Sequence, residues 1–191
     1  MKSFGVYITG VGGQGILLAS EVLSEVAMSA GLDVKKSEVH GMAQRGGNVV
    51  SAVKFGEKVS SPVISEAEAD VLLSFEPMEA LRNLKFANPK GKVITSTRQI
   101  PPSTVSSGMA DYPEDIIERI KKGFDDAVFI PALKLAVEAG SARAVNIVLL
   151  GALSNHLEFS DQQWKAAIEK WVPAKTLEIN MKAFEAGKDA I

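Results

Sequence analysis

The sequence predicts a three-layer α/β/α domain with a mainly parallel sheet and a helical C-terminal part, and three observations predict it. Phe4-Gly5-Val6-Tyr7-Ile8-Thr9 is a β-rich run that feeds straight into a glycine cluster and then into an amphipathic helical pattern. Val71-Leu72-Leu73-Ser74-Phe75 is nearly continuous in apolar residues, as a strand covered on both faces must be. From residue 126 onward the pattern is mainly helical. Strands alternating with helices at the start and helices afterwards point to a layered α/β architecture.

Each element has a local reason. Ile16, Ala19, Leu23, Val26, Ala27 and Ala30 recur at helical spacing, with Ser20, Glu21, Ser24 and Glu25 mainly opposite, and Gly31 suits the position just past the helix end. Asp33 to Lys36 reads as a short strand, and Asn48 to Phe55 as a longer one closed by a Gly56-Glu57 turn. Pro77 opens a helix through Leu84, where its missing N–H costs nothing. Lys92-Val93-Ile94-Thr95 is the next strand. Gln99 to Pro113 holds three of the eight prolines and reads as a long irregular loop on the surface or over a site. Ala132 to Glu138 then ends at Gly140, Ser141 N-caps Ala142 to Ser154, Asp161 starts Gln162 to Trp171, and Ala174 to Ala186 ends at Gly187. A single domain over 1–191 is expected: a βαβ-type core over 1–97, an irregular region with a connecting helix over 98–125, and a mainly helical part over 126–191.

Composition narrows the function. The chain has 191 residues, 46% of them apolar and only 6% aromatic, enough to bury a full core. Twenty-one Lys plus Arg face 23 Asp plus Glu, so no basic field invites nucleic acid or an anionic membrane. There is no cysteine, which removes disulfides, a thiol nucleophile and the usual ligands of an iron–sulfur cluster. With two histidines, His40 and His156, a zinc site is a poor expectation and no metal site is assigned. The first apolar run is too short for a leader. Val145 to Leu153, interrupted by Asn146, falls far short of the ~20 residues that span a bilayer. A soluble, cytoplasmic protein is expected.

Two segments carry chemistry. Gly10-Val11-Gly12-Gly13-Gln14-Gly15 matches G-x-G-x-x-G between a strand and a helix. Gly10 would permit the tight turn, Gly12 would let a ligand approach the backbone, and Gly15 would allow close helix–strand packing, with free amides at the helix start favouring an anion. The competing reading is a tight turn that needs glycine for packing alone. A dinucleotide would also want an acid closing the second strand, where Lys35-Lys36-Ser37 stands instead. The second segment, Ser37-Glu38-Val39-His40-Gly41-Met42-Ala43-Gln44-Arg45-Gly46-Gly47, leaves that strand at the same sheet edge. Arg45 between glycines offers a guanidinium fork beside bare backbone, and His40 a polar or proton-shuttling contact. A polar surface loop is its competing reading. Asn146 is expected to be buried and hydrogen-bonded to a neighbouring loop, Glu76 to stabilise a helix dipole, and His156 to cap a helix end.

On these residues the chain resembles the gamma-type subunits of 2-oxoacid:acceptor (ferredoxin) oxidoreductases, over nearly its whole length. The resemblance rests on the glycine loop and on Glu38-Val39-His40-Gly41-Met42-Ala43-Gln44-Arg45-Gly46-Gly47. It also rests on Ser61-Pro62, Ala69-Asp70, Tyr112-Pro113, Arg143-Ala144-Val145-Asn146 with Leu150-Gly151-Ala152, and Asn180 with Ala183-Phe184 and Gly187. Within the family it looks most like the small beta subunit of indolepyruvate ferredoxin oxidoreductase. The resemblance implies oxidative decarboxylation of a 2-oxoacid to an acyl-CoA, with two electrons passed to ferredoxin. It places thiamine diphosphate, Mg²⁺ and iron–sulfur clusters in larger partner subunits, with this Rossmann-like piece helping enclose the active site and the coenzyme A path. No catalytic residue is then assigned to this chain alone, and none of those cofactors is bound by it alone. Its binding candidates are Gly10, Gly12, Gly13, Gln14, Gly15, His40, Gly41, Gln44, Arg45, Gly46 and Gly47, and the isolated chain is expected to be able to homodimerise. A free-standing dinucleotide-dependent oxidoreductase and a purely structural assembly module remain as alternatives.

Overall fold

The computed structural model describes residues 3–40 and 47–191. Among these, six strands form one sheet: β1 (Phe4–Val11), β2 (Asp33–His40), β3 (Asn48–Gly56), β4 (Ala69–Ser74), β5 (Ala87–Ser96) and β6 (Val128–Ile130), in the spatial order β2-β3-β1-β4-β5-β6. β1–β4, β4–β5 and β5–β6 pair parallel, while β3 runs antiparallel between β2 and β1. Five strands therefore point one way and the sheet is mainly parallel, as expected. The expected βαβ neighbours are not neighbours, however. β1 and β2 share a direction, but β3 lies between them, two strand spacings or roughly 9–10 Å across.

The helices are α1 (Ile16–Ser29), α2 (Pro77–Asn83), α3 (Ser103–Ser106), α4 (Ile116–Gly123), α5 (Ala132–Ala139), α6 (Val145–Ser154), α7 (Asp161–Trp171) and α8 (Leu177–Lys188). The period-2 alternation of each strand decides which layer it feeds. Val6 and Ile8 of β1, Val71 and Leu73 of β4, and Ile94 of β5 pack with Leu23 of α1, Ile147 of α6, Trp164 of α7 and Phe184 of α8. Tyr7, Leu72 and Val93, one residue out of phase, pack with Ala80 of α2 and with Ile116 and Ile120 of α4. Helices thus cover both faces.

Local signals place the ends. Gly31 (φ 78°) and Gly140 (φ 119°) take the left-handed conformation just beyond α1 and at the C-cap of α5. Ser141 accepts the amide of Arg143 and starts a short 3₁₀ turn that runs into α6. α7 is capped by Ser160, whose hydroxyl accepts the amide of Gln163 while that glutamine reaches back to the Ser160 amide, so Asp161 is its first helical residue. β2 runs four residues past its expected end because its polar side chains pair sideways: Lys36 bonds both Glu21 and Glu38. β6 was not expected; three residues at the sheet edge give too short a run to show a period.

Gly187 does not end a helix but lies inside α8. A Cβ there would sit 1.8 Å from the Val148 carbonyl oxygen, and one on Gly151 would sit 2.0 Å from that of Phe184. The two glycines let α6 and α8 touch backbone to backbone. Gly187→Ala should therefore cost about 3 kcal/mol or more in denaturant unfolding, although alanine is the better helix former by about 1 kcal/mol. A loss under about 1 kcal/mol would show that the two helices can part freely.

Candidate functional site

The sheet order makes β1 the point where the chain turns from one side of the sheet to the other, and ligands gather at the carboxyl ends of strands there. The glycine loop follows β1, and Glu76 follows β4. Within the loop the left-handed positions are Gly13 (φ 99°) and Gly15 (φ 83°), not Gly10. Gly10 lies inside β1, where a Cβ would come within 2.8 Å of Phe75 Cβ and Gln14 Oε1, so packing and not the turn demands it. Gly15 approaches α6, not a strand: its Cβ would meet Asn146 Nδ2 at 2.8 Å. The Gly12 amide donates to the Gly47 carbonyl at 2.8 Å. Gln14 is tied down as well, its Oε1 accepting the Val11 amide at 2.7 Å and its Nε2 donating to the Phe75 carbonyl at 2.8 Å. These contacts stiffen the loop. They leave Gly13 facing open space.

A cleft of about 660 Å³ opens above this loop. Two arginines that the sequence did not single out as ligand contacts line it: Arg98, from the segment after β5, and Arg143, from the 3₁₀ turn before α6. Neither guanidinium has a carboxylate partner among the described residues. No side chain caps the N-terminus of α1, and its first turn holds no acid, so its amide dipoles are unscreened. Two guanidiniums and a bare helix start can together hold an anion. Asn146 stands behind it as expected, 3% exposed, with Nδ2 3.5 Å from the Gly15 carbonyl and Oδ1 accepting the Ile147 amide.

Across Ile100 the same edge turns acidic. Glu76 is 1% exposed, and does more than complement a dipole. Its Oε2 caps α2 by accepting the Glu79 amide at 2.9 Å, and its Oε1 accepts the Ile100 amide and the Tyr112 hydroxyl. The Pro-rich segment is pinned there, and Tyr112, by burial and then by the Glu76 charge, is pushed well above the usual phenol range. Glu79 is 4% exposed; its Oε1 pairs with Arg82 at 2.6 Å, and its Oε2 has no hydrogen-bond partner. Burial raises its pKa, Arg82 works against this, and Glu76 adds to it.

His40 closes β2 opposite Val49, and the Gly47 carbonyl accepts the Gly12 amide, so the two described ends of the second expected segment lie at the edge that carries the glycine loop. Gly41, Met42, Ala43, Gln44, Arg45 and Gly46 lie outside the described residues. His156 lies elsewhere, near Phe4, Asp70 and Lys92 by the opposite strand ends. Only its amide caps, to the Leu153 carbonyl; burial, with the Lys92 ammonium behind it, holds its imidazole below the usual range. The strand order also tells against a dinucleotide. With β3 inserted, β2 is not beside β1, and Glu38, the acid nearest the ribose position, is bound by Lys36 at 2.8 Å.

A family profile described as pyruvate ferredoxin/flavodoxin oxidoreductase matches residues 5–190. The chain is 46% identical to indolepyruvate oxidoreductase subunit IorB of Thermococcus kodakarensis, across 100% of this chain and 96% of that one. Its fold is that of a pyruvate oxidoreductase subunit of Thermotoga maritima (TM-score 0.76, 20% identity, 100% and 97% covered). It also matches part of a 2-oxoglutarate:ferredoxin oxidoreductase from Magnetococcus marinus, whose structure holds 2-oxoglutarate, coenzyme A and succinyl-CoA (TM-score 0.74, 21% identity, 100% and 31% covered).

The raised Glu79 pKa has a measurable consequence. The folded state favours its neutral form, so that contribution is complete below the ordinary glutamate pKa and is lost as pH rises through the raised one. Glu79→Gln stays neutral throughout. Calorimetry from about pH 4.5 to pH 8 should show the wild-type Tm falling progressively relative to that of Glu79→Gln; parallel profiles would mean burial does not govern this carboxyl.

Proposed function

The chain belongs to the pyruvate ferredoxin/flavodoxin oxidoreductase family, and we propose that it is the small subunit of an indolepyruvate oxidoreductase, forming one wall of the coenzyme A path. The end-to-end likeness to subunit IorB carries this reading. With no cysteine, the chain does not fit an iron–sulfur cluster of its own. Thiamine diphosphate with Mg²⁺ and the clusters, held by a larger subunit, would supply the decarboxylation and electron-transfer chemistry of the assembled enzyme, with ferredoxin as its electron acceptor.

This chain's own residues hold and orient the anionic end of coenzyme A. Arg98 and Arg143 fork onto phosphate oxygens, and the amides at the start of α1 complete the cradle. The open space at Gly13 lets a phosphate approach the backbone. Gly10, Gly12, Gln14 and Gly15 keep the loop in shape, and Gly47, whose carbonyl accepts the Gly12 amide, ties the end of the second segment to it. Leu17, Val39 and Met109, exposed on segments flanking this edge, give the large subunit apolar ground to cover.

The test is a complex reconstituted with the large subunit and assayed for indolepyruvate-dependent ferredoxin reduction. Arg98→Ala and Arg143→Ala should each raise the apparent KM for coenzyme A about ten- to a hundredfold, the worth of roughly 1.5–3 kcal/mol for a charged hydrogen bond, with assembly intact. Unchanged KM in both variants would refute the cleft. If the wild-type complex turns over another 2-oxoacid and not indolepyruvate, the substrate assignment falls.

A further inference from the structure

The Pro-rich segment leaves the end of β5 and leads to α4, and both of its ends meet one oxygen. Glu76 Oε1 accepts the Ile100 amide at 3.2 Å and the Tyr112 hydroxyl. Between those ties residues 101–111 are largely exposed. Their backbone hydrogen bonds run inside the segment, as from the Val105 amide to the Pro102 carbonyl and from the Met109 amide to the Thr104 carbonyl. Arg98 lies just before the first tie. On its β5 side the Thr97 amide donates to the Ile130 carbonyl at 2.9 Å, and the Arg98 amide to Ser96 Oγ at 3.2 Å. On its other side the hold is Ile100 on Glu76. Tyr112 does not line the cleft that Arg98 and Ile100 line. Its ring packs against the core cluster that holds Ala80 of α2 and Ile116 of α4. Its hydroxyl, kept well above the usual phenol range by burial and then by Glu76, stays a donor.

We propose that Tyr112 is a positioning residue for the coenzyme A cleft: its hydroxyl fixes the Glu76 oxygen that holds Ile100, and so sets where Arg98 presents its guanidinium. The carboxylate is the joint. Its Oε2 is committed to the Glu79 amide, so the direction of Oε1 depends on the two donors that share it. Without the hydroxyl, a buried oxygen keeps a single donor at 3.2 Å and gains by turning toward any other. Ile100 then loses its hold, and residues 98–102 gain freedom at the wall of the cleft. A guanidinium fork is sensitive to that freedom, because two parallel hydrogen bonds to one phosphate need a fixed geometry. A residue outside the cleft thereby tunes affinity for an anion within it. The inference rests on the reading of that cleft as a coenzyme A path, and its test keeps the two apart.

The complex reconstituted with the large subunit is compared as wild type, Tyr112→Phe, Arg98→Ala and the double variant, with coenzyme A affinity measured by calorimetry beside KM and kcat. Tyr112→Phe should weaken coenzyme A binding about three- to tenfold and raise its KM to match, with kcat and assembly unchanged. In the Arg98→Ala background the same substitution should change affinity by less than about twofold, since no guanidinium is left to position. Full affinity in Tyr112→Phe, or losses that multiply in the double variant, overturns the inference and leaves the cleft reading standing. If Arg98→Ala binds coenzyme A as wild type does, the inference falls, and the cleft reading falls with it only where Arg143→Ala is silent too. Should Tyr112→Phe fail to fold, amide exchange in the wild-type complex decides. Coupling is reciprocal, so coenzyme A should slow exchange at residues 103–111, none of which lines the cleft, by about threefold or more. Unaltered exchange there overturns the inference.

Discussion

One buried carboxylate holds the carboxyl edge of the sheet together. Glu76 has almost no exposed surface, so it persists as an acceptor only because donors surround it: the Glu79 amide, the Ile100 amide and the Tyr112 hydroxyl. Those donors come from the first turn of α2 and from both ends of the Pro-rich segment. The same group that starts a helix therefore fixes a long connection that would otherwise lie free over the edge. Arg98 reaches the cleft because the connection is held at Ile100, two residues on. Removing the carboxylate would unfasten a helix start, a strap and an anion contact together.

The second constraint is the reversed strand. β3 lies between β1 and β2, so the sequence motif of a dinucleotide site appears without the neighbour that would complete it. What the motif retains is its local physics: left-handed glycines, an uncapped helix start and a backbone open to a ligand at Gly13. Such a loop can still hold phosphate. It no longer has a second strand beside it to read a ribose, and the side chains that line the cleft come from the segment after β5 and the turn before α6.

The parts of this architecture legible in the sequence were those with a period or a stop signal. β1, α1 and β4 show their burial in the spacing of apolar residues, and Gly31 and Gly140 mark ends because nothing follows them in phase. Gly187 shows the limit: a glycine late in a helical pattern reads as a stop, yet its cause is the Val148 carbonyl on another helix. Arg98 was hidden for a related reason. A lone arginine in a Pro- and Ser-rich stretch has no pattern, and only the carboxylate that pins the stretch gives it a place. Glu76 reads in the sequence as an acid at a helix start and Tyr112 as part of a family resemblance, 36 positions apart, with nothing in the order of the chain to join them.

The edge that results is polar in the electrical sense. On one side of Ile100 lie Arg98, Arg143 and a helix start that favour anions; on the other lie the carboxyls of Glu76 and Glu79. Placing the two next to each other separates their tasks by sign. A pocket lined by two guanidiniums favours an anion, and one lined by two carboxyls and a single guanidinium does not. A chain with no cysteine for redox wiring can thus still sort charged groups by sign at one edge of its sheet.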